Sequence, residues 1–161
     1  MSTHRLDPFT RAYIESALWS STVEPYQECS SCGKGAIMCQ YDTDGDWPEW
    51  SLCSMCGGDP QGNSSEPPAD QNYTWEDFAP ATQARFIADC EAFQTQAESL
   101  LGAAEHTRKN AGHDFWLTRN GHGAGFWDGD WPEPQAEQLT ELSKTFGTCY
   151  LYVGGDGKLY V

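Results

Sequence analysis

Two cysteine pairs, CSSCG at 29–33 and CSMCG at 53–57, constrain this chain more than any other feature. Their C-x2-C-x20-C-x2-C spacing fits a four-thiolate zinc site, because a two-residue gap lets both sulfurs of a pair face one metal. The glycine after each pair lets the backbone turn so that amide hydrogens point at the thiolates. Between the pairs, GAIMCQYD and WPEWSLC read as strands around the turn DTDGD. Knuckle, hairpin, knuckle is the zinc-ribbon arrangement; a redox dithiol and a rubredoxin-like iron are its alternatives. Cys29, Cys32, Cys53 and Cys56 are the expected ligands of a structural Zn2+, and Cys39, mid-strand, reads as a spare buried thiol. A closed four-cysteine site keeps no open coordination position, so it folds its module rather than catalysing. Asp42, Asp44 and Asp46 have a calcium-like spacing but lack the glycine and distal glutamate of an EF-hand loop, and read as an acidic hairpin turn.

Around this module the chain reads as one α+β core, with helices packed on short antiparallel β-hairpins: residues 1–25 and 73–161, interrupted by the zinc-ribbon insertion at 26–59 and a linker at 60–72. The linker is polar and rich in Pro, Gly and Ser, with too little apolar content to fold alone. LDPFTRAYIESALWSST reads as a helix capped by Asp7, with Pro8 first, Phe9, Tyr13, Ala17 and Leu18 on one face, and an end near Trp19. TWEDFAPATQARFIADCEAFQTQAESLLGAAEH gives the strongest helical signal, with Phe86, Cys90, Phe93, Ala97, Leu100/Leu101 and Ala104 at three- and four-residue intervals. Thr74 and Asp77 resemble a capping box over a short first turn, and Pro80 restarts the main helix. HDFWLTRNGHGAGFWD, two aromatic runs around Asn-Gly, predicts a hairpin. PEPQAEQLTELSKTFG is a further helix, with Ala136, Leu139, Leu142 and Phe146 inward and Gly147 as its stop; TCYLYV, GGDG and KLYV close the chain as a second hairpin.

Charge narrows the partners. With 24 acidic against 9 basic side chains the formal charge is −15, so a phosphate backbone is repelled and direct nucleic-acid binding is disfavoured. The balance suits either solubility alone or attraction to a basic protein surface. Lys34 is the one cation of the ribbon, beside Asp42, Asp44, Asp46 and Glu49, so its face also favours a protein partner. No run of about 18 apolar residues exists, and the first 20 residues lack a secretory pattern, so a soluble, cytoplasmic chain is expected, with no membrane association. An odd count of seven cysteines fits a reducing compartment better than a disulfide framework.

The densest polar segment is AGHDFWLTRNGHGAGFWDGDWPE, residues 111–133. His113, Asp114, Arg119, Asn120, His122 and Asp128 could supply a base, an acid and an anion clamp. Read as a strand, His113 and Arg119 share a face with Phe115 and Leu117, while Asp114 and Asn120 share the other with Trp116 and Thr118, so neither face pairs a nucleophile with its base. GHGAG lacks the lysine and Ser/Thr of a phosphate loop. Packing of Phe115, Trp116, Phe126 and Trp127 onto the helices explains most of the segment, which leaves His113, Arg119, Asn120 and His122 as a candidate binding surface. The hexapeptide DGDWPE occurs at 44–49 and 128–133; with one copy in the ribbon and the other leading to a helix that Asp130 could cap, it reads as coincidence.

FTRAYIESALWSST, NYTWEDFAPATQARFIADCEAFQ, AGHDFWLTRNGHGAGFWD and LYVGGDGKLYV together resemble a group of small proteins encoded by tailed bacteriophages and prophages. The resemblance covers most of the chain outside the ribbon, which occupies the position of a short acidic linker in that group. It implies a viral protein in the host cytoplasm and a role in host takeover or counter-defence, including anti-restriction and anti-CRISPR inhibition and nucleic-acid mimicry. The expected function is thus an acidic, zinc-containing, non-enzymatic accessory protein that binds a basic surface on a host protein. The rival reading is an enzyme or binding protein for a nucleotide or other small anion, acting through His113, Arg119, Asn120 and His122. Metal analysis of the purified protein is expected to give about one zinc per chain. Cys32→Ser should abolish it, and a metal-free wild-type chain would remove the ribbon.

Overall fold

Asp7 starts the first helix as the sequence requires: its carboxylate accepts the amide hydrogens of Phe9 (3.0 Å) and Thr10 (3.2 Å) and the Thr10 hydroxyl (2.5 Å). In the computed structural model, which describes residues 6–23, 68–102 and 105–161, helix α1 runs Pro8–Ser20. Two short 3-10 turns follow, Ala69–Gln71 and Trp75–Asp77, and then helices α2 (Pro80–Gln96), α3 (Glu105–Arg119) and α4 (Gln135–Lys144). The chain ends in an antiparallel hairpin of β1 (Tyr152–Val153) and β2 (Leu159–Tyr160), with Tyr152 opposite Tyr160. The α+β class holds. The ribbon expected at 26–59 and most of the linker expected at 60–72 lie outside the described residues.

α3 is the central element, packed mainly on α1 and flanked by α4, while α2 packs on α1 from another side. The core is an aromatic stack: Phe93 lies 4.1 Å from Phe115 centroid to centroid, and Tyr13 lies 5.2 Å from both Phe115 and, edge-on, Phe86. Such rings supply large apolar area and add orientation-dependent attraction on top of it. The Tyr13–Trp116 pair is also edge-on, and the Trp116 indole N–H donates to the Ser20 hydroxyl at 2.8 Å, satisfying its polar edge inside the core.

Residues 113–122 correct the sequence reading. They form no hairpin: His113 to Arg119 complete α3, and Asn120 and Gly121 turn away from its end. The cause is burial on all sides. Asp114 through Arg119 are all buried, so neither a period of two nor one of 3.6 shows in the residue types, and the aromatic content imitates a strand. Gly112 makes the close α1–α3 approach possible, since a Cβ there would fall on the Phe9 carbonyl. Trp127 is 52 % exposed and does not join the packing expected of it. Asp130 is not the cap of α4, whose first turn instead uses Pro132 O and, through Glu137 N, the Glu133 carboxylate at 3.4 Å.

Other expectations hold. Thr74 N–H and hydroxyl both donate to the Asp77 carboxylate, at 2.8 and 2.9 Å, and Pro80 opens α2. The end of this helix is corrected: α2 stops at Gln96, short of its apolar repeat, Leu101 reaches the core from the turn beyond, and Glu105 and His106 begin α3. The C-terminal hairpin is fastened to the start of α2 by Ala79 N–H donating to Leu159 O at 2.9 Å. Val23 and Pro68, the described residues on either side of 24–67, lie at neighbouring points, with Thr22 bridging Pro68 and Ala69 N–H donating to Ser21 O at 2.9 Å. No helix among the described residues is long and apolar enough to cross a membrane.

Gly112→Ala is expected to lower unfolding free energy by roughly 2 kcal/mol or more, because the obstruction is backbone and cannot rotate away. Equilibrium urea denaturation measures this, and wild-type stability in the variant would exclude the tight α1–α3 crossing.

Candidate functional site

The four residues selected from the sequence have different fates. Arg119 is fully buried at its side chain and is used entirely inside the fold. Its Nε donates to Gly147 O (2.8 Å), Nη2 to Phe146 O (2.7 Å), and Nη1 to both the Tyr13 hydroxyl (2.7 Å) and the Asp89 carboxylate (2.9 Å). Asn120 is also structural: its amide donates to Trp116 O and its carbonyl accepts from Cys149 N–H at 2.7 Å. His122 sits in the turn after α3 with its backbone N–H on Leu117 O. The expected surface of His113, Arg119, Asn120 and His122 therefore does not exist as one patch, because a helix rotates successive residues away from each other and the arginine turns inward. His113 alone faces an open cavity.

Nor does the glycine loop after α3 cradle an anion. Gly125, at φ +153°, lies against Thr118, where a Cβ would overlap the hydroxyl, and Phe126 N–H donates to that hydroxyl at 3.0 Å. Of the thiols, Cys90 and Cys149 are buried, and desolvation pushes both above their usual range, so they are protonated and weak as nucleophiles at neutral pH. The proposed zinc ligands Cys29, Cys32, Cys53 and Cys56 lie outside the described residues.

What the fold does assemble is a cavity of about 440 Å³ between α1, α3 and the loop that follows α3. Glu15 and Ser16 come from α1, Asp114 from α3, and Asp128 and Asp130 from the loop; Trp19, 56 % exposed, closes one side. Helical spacing explains the α1 contribution, since Trp19 lies four residues from Glu15 and three from Ser16 and so shares their flank. The Trp19 ring is tilted against His113, 6.0 Å between centroids. Lys109 is the one lysine or arginine on the wall, and among the described residues it forms no ion pair.

Asp114 is the most constrained acid. Its Oδ2 accepts the Trp131 indole N–H at 2.7 Å and its Oδ1 lies 3.2 Å from His113 Nδ1. Burial pushes its carboxyl up from the usual carboxylate range, against the pull of those two hydrogen bonds. Asp128 Oδ2 accepts the Gly125 amide hydrogen at 3.3 Å. The Ser16 hydroxyl is buried and has no hydrogen-bond partner among the described residues. Among the described residues no three His, Cys, Asp or Glu side chains converge in metal-holding geometry. The site is therefore an acidic recess with an indole wall.

Asp114 and Asp128 stood in the polar list read from the sequence, whereas Glu15, Trp19 and Asp130 did not. The second DGDWPE copy, dismissed as coincidence, supplies Asp128, Asp130 and the Trp131 donor. Comparison with protein-family models, with curated proteins and with solved structures found no match to this chain.

Two outcomes test this geometry. Arg119→Ala should cost on the order of 3–5 kcal/mol in urea denaturation, since it strands Asp89, Tyr13 and two carbonyls, while His122→Ala should stay within about 0.5 kcal/mol. Because the folded-state carboxyl of Asp114 titrates above its unfolded value, the native state holds the extra proton, and this group's contribution to stability is lost as pH rises through the folded value. Asp114→Asn keeps an acceptor for Trp131, so the stability of the variant relative to wild type should grow between the unfolded carboxylate pKa of about 4 and neutrality. A constant difference across that window would refute the upward shift.

Proposed function

We propose that this protein is a non-enzymatic, acidic accessory protein that binds a basic surface on another protein. In the setting its sequence resemblance suggests, that partner is a host factor met in the cytoplasm of an infected cell, and the effect is inhibition or redirection of a host or defence activity. The zinc ribbon at 26–59, held by Cys29, Cys32, Cys53 and Cys56, serves in this reading as a structural module. The carrying observation is the recess of Glu15, Asp114, Asp128 and Asp130, set in a chain of net charge −15. Electrostatic complementarity of this kind steers encounter and excludes like-charged partners.

The small-anion reading loses its main support, because the arginine it depended on is fully committed to Tyr13, Asp89 and two carbonyls. Affinity capture from bacterial lysate at about 50 mM and about 500 mM salt is the test: the Debye length falls from roughly 14 Å to roughly 4 Å, so partners held by exposed charge should be retained at low salt and released at high salt. Absence of any salt-sensitive partner would sink the proposal.

A further inference from the structure

We propose that the α1–α3 recess is a receptor for a single arginine side chain presented by that partner. This rests on the reading of the protein as a binder of basic surfaces and names the group it recognises. The recess offers two kinds of contact at once. Glu15, Asp114, Asp128 and Asp130 present carboxylates, and Trp19 presents an exposed indole.

Guanidinium fits this combination better than ammonium. It carries five N–H donors in one plane and a weakly hydrated face that stacks on aromatic rings, so one group can reach carboxylates at its edge while lying against the Trp19 indole. An ammonium is a compact point charge with three donors and no flat face. Asp114 is the natural anchor. The Trp131 indole N–H donates to one of its oxygens at 2.7 Å and His113 Nδ1 stands 3.2 Å from the other, which fixes the carboxylate before the ligand arrives and leaves it further acceptor positions. Fixing it in advance spares the loss of rotamer freedom on binding. The volume of about 440 Å³ falls in the range of small-ligand pockets, roughly 300–1,000 Å³, and admits the head of a side chain and not a folded element.

The experiment uses the full chain and three blocked pentapeptides that differ only in a central arginine, lysine or citrulline, with free arginine as a fourth probe. Binding is read by NMR shifts of the tryptophan indole N–H groups. The arginine peptide is expected to bind at least about tenfold more tightly than the citrulline peptide and severalfold more tightly than the lysine peptide, with Trp19 and Trp131 resonances moving. Free arginine should bind more weakly than the peptide, because its own carboxylate faces the recess acids; free arginine binding more tightly would point to a metabolite site and overturn the partner assignment. Trp19→Ala removes an exposed ring and so should leave melting unchanged while weakening the arginine peptide severalfold; Asp114→Asn should weaken it about tenfold, with its folding checked by the Trp131 resonance. Equal binding of arginine and lysine peptides, or arginine binding untouched by both variants, overturns the inference. If no peptide binds while the protein still captures a salt-sensitive partner, this inference fails and the broader reading stands; loss of both fails both.

Discussion

The buried guanidinium of Arg119 is the interaction on which the rest of the core depends. Its four hydrogen bonds reach Tyr13 on α1, Asp89 on α2 and the carbonyls of Phe146 and Gly147 just past α4, so one side chain of α3 ties together every helix. The aromatic stack beside it is large but weakly directional, and rings can slide with modest loss. A planar fork with fixed donor directions tolerates no such sliding. Phe115 and Phe146 flank the guanidinium carbon at 5.4 and 6.0 Å, so the cation is also covered on its faces. Burial disfavours the guanidinium charge and the hydrogen bond and charge of Asp89 oppose that effect, while burial drives the Tyr13 hydroxyl well above its usual range. Tyr13 therefore stays neutral beside the cation, and Asp89 carries the compensating charge.

This arrangement shapes the surface as well as the core. A chain with 9 lysines and arginines against 24 acids has few cations to offer, and one of them is spent inside. Of the others, Arg85 sits 3.9 Å from Asp89 and Lys144 2.7 Å from Glu141, both exposed pairs of small energetic value. Arg108 is turned to the Gln94 side chain. Among the described residues, the recess acids consequently have Lys109 as their one nearby lysine or arginine. Grouping carboxylates at the α1–α3 edge concentrates negative charge there, while the buried Arg119 is neutralised by Asp89.

How much of this the sequence carried depends on whether a residue's environment left a one-sided pattern. α1, α2 and α4 each have a solvent face, so their apolar spacing, the Asp7 cap, Pro80 and the stop at Gly147 were legible. α3 has almost none beyond its first turns, and the local strand-like propensity of HDFWLT then conflicts with tertiary packing that only the partner helices define. The same hidden information governed the site. Arg119 reads as a ligand-binding cation because sequence places it next to Asn120 and His122, whereas its fate is set by Tyr13 and Asp89, 106 and 30 residues away. Asp114 and Asp128 were visible as acids, but Glu15 and Trp19 could join them only once α1 was known to lie along α3.

Thr22 pairs with Pro68 and Ala69 donates to Ser21, so backbone hydrogen bonds join the two sides of residues 24–67. Loop closure grows only logarithmically with length, about 0.6 kcal/mol for each doubling, so a core stitched at that point accepts a long insertion at small cost to its stability. Trp19, which walls the recess, stands three residues before Thr22 on the same helix end. The recess and the Thr22–Pro68 join are thus both set at the C-terminal turn of α1. That turn is itself held from within by the Trp116 indole on Ser20 and by Ser20 on Ser16 O at 2.7 Å. A substitution that loosens Ser20 would therefore disturb both the recess and the stitch without touching a single carboxylate, which makes this turn the mechanical link between core packing and whatever the acidic face holds.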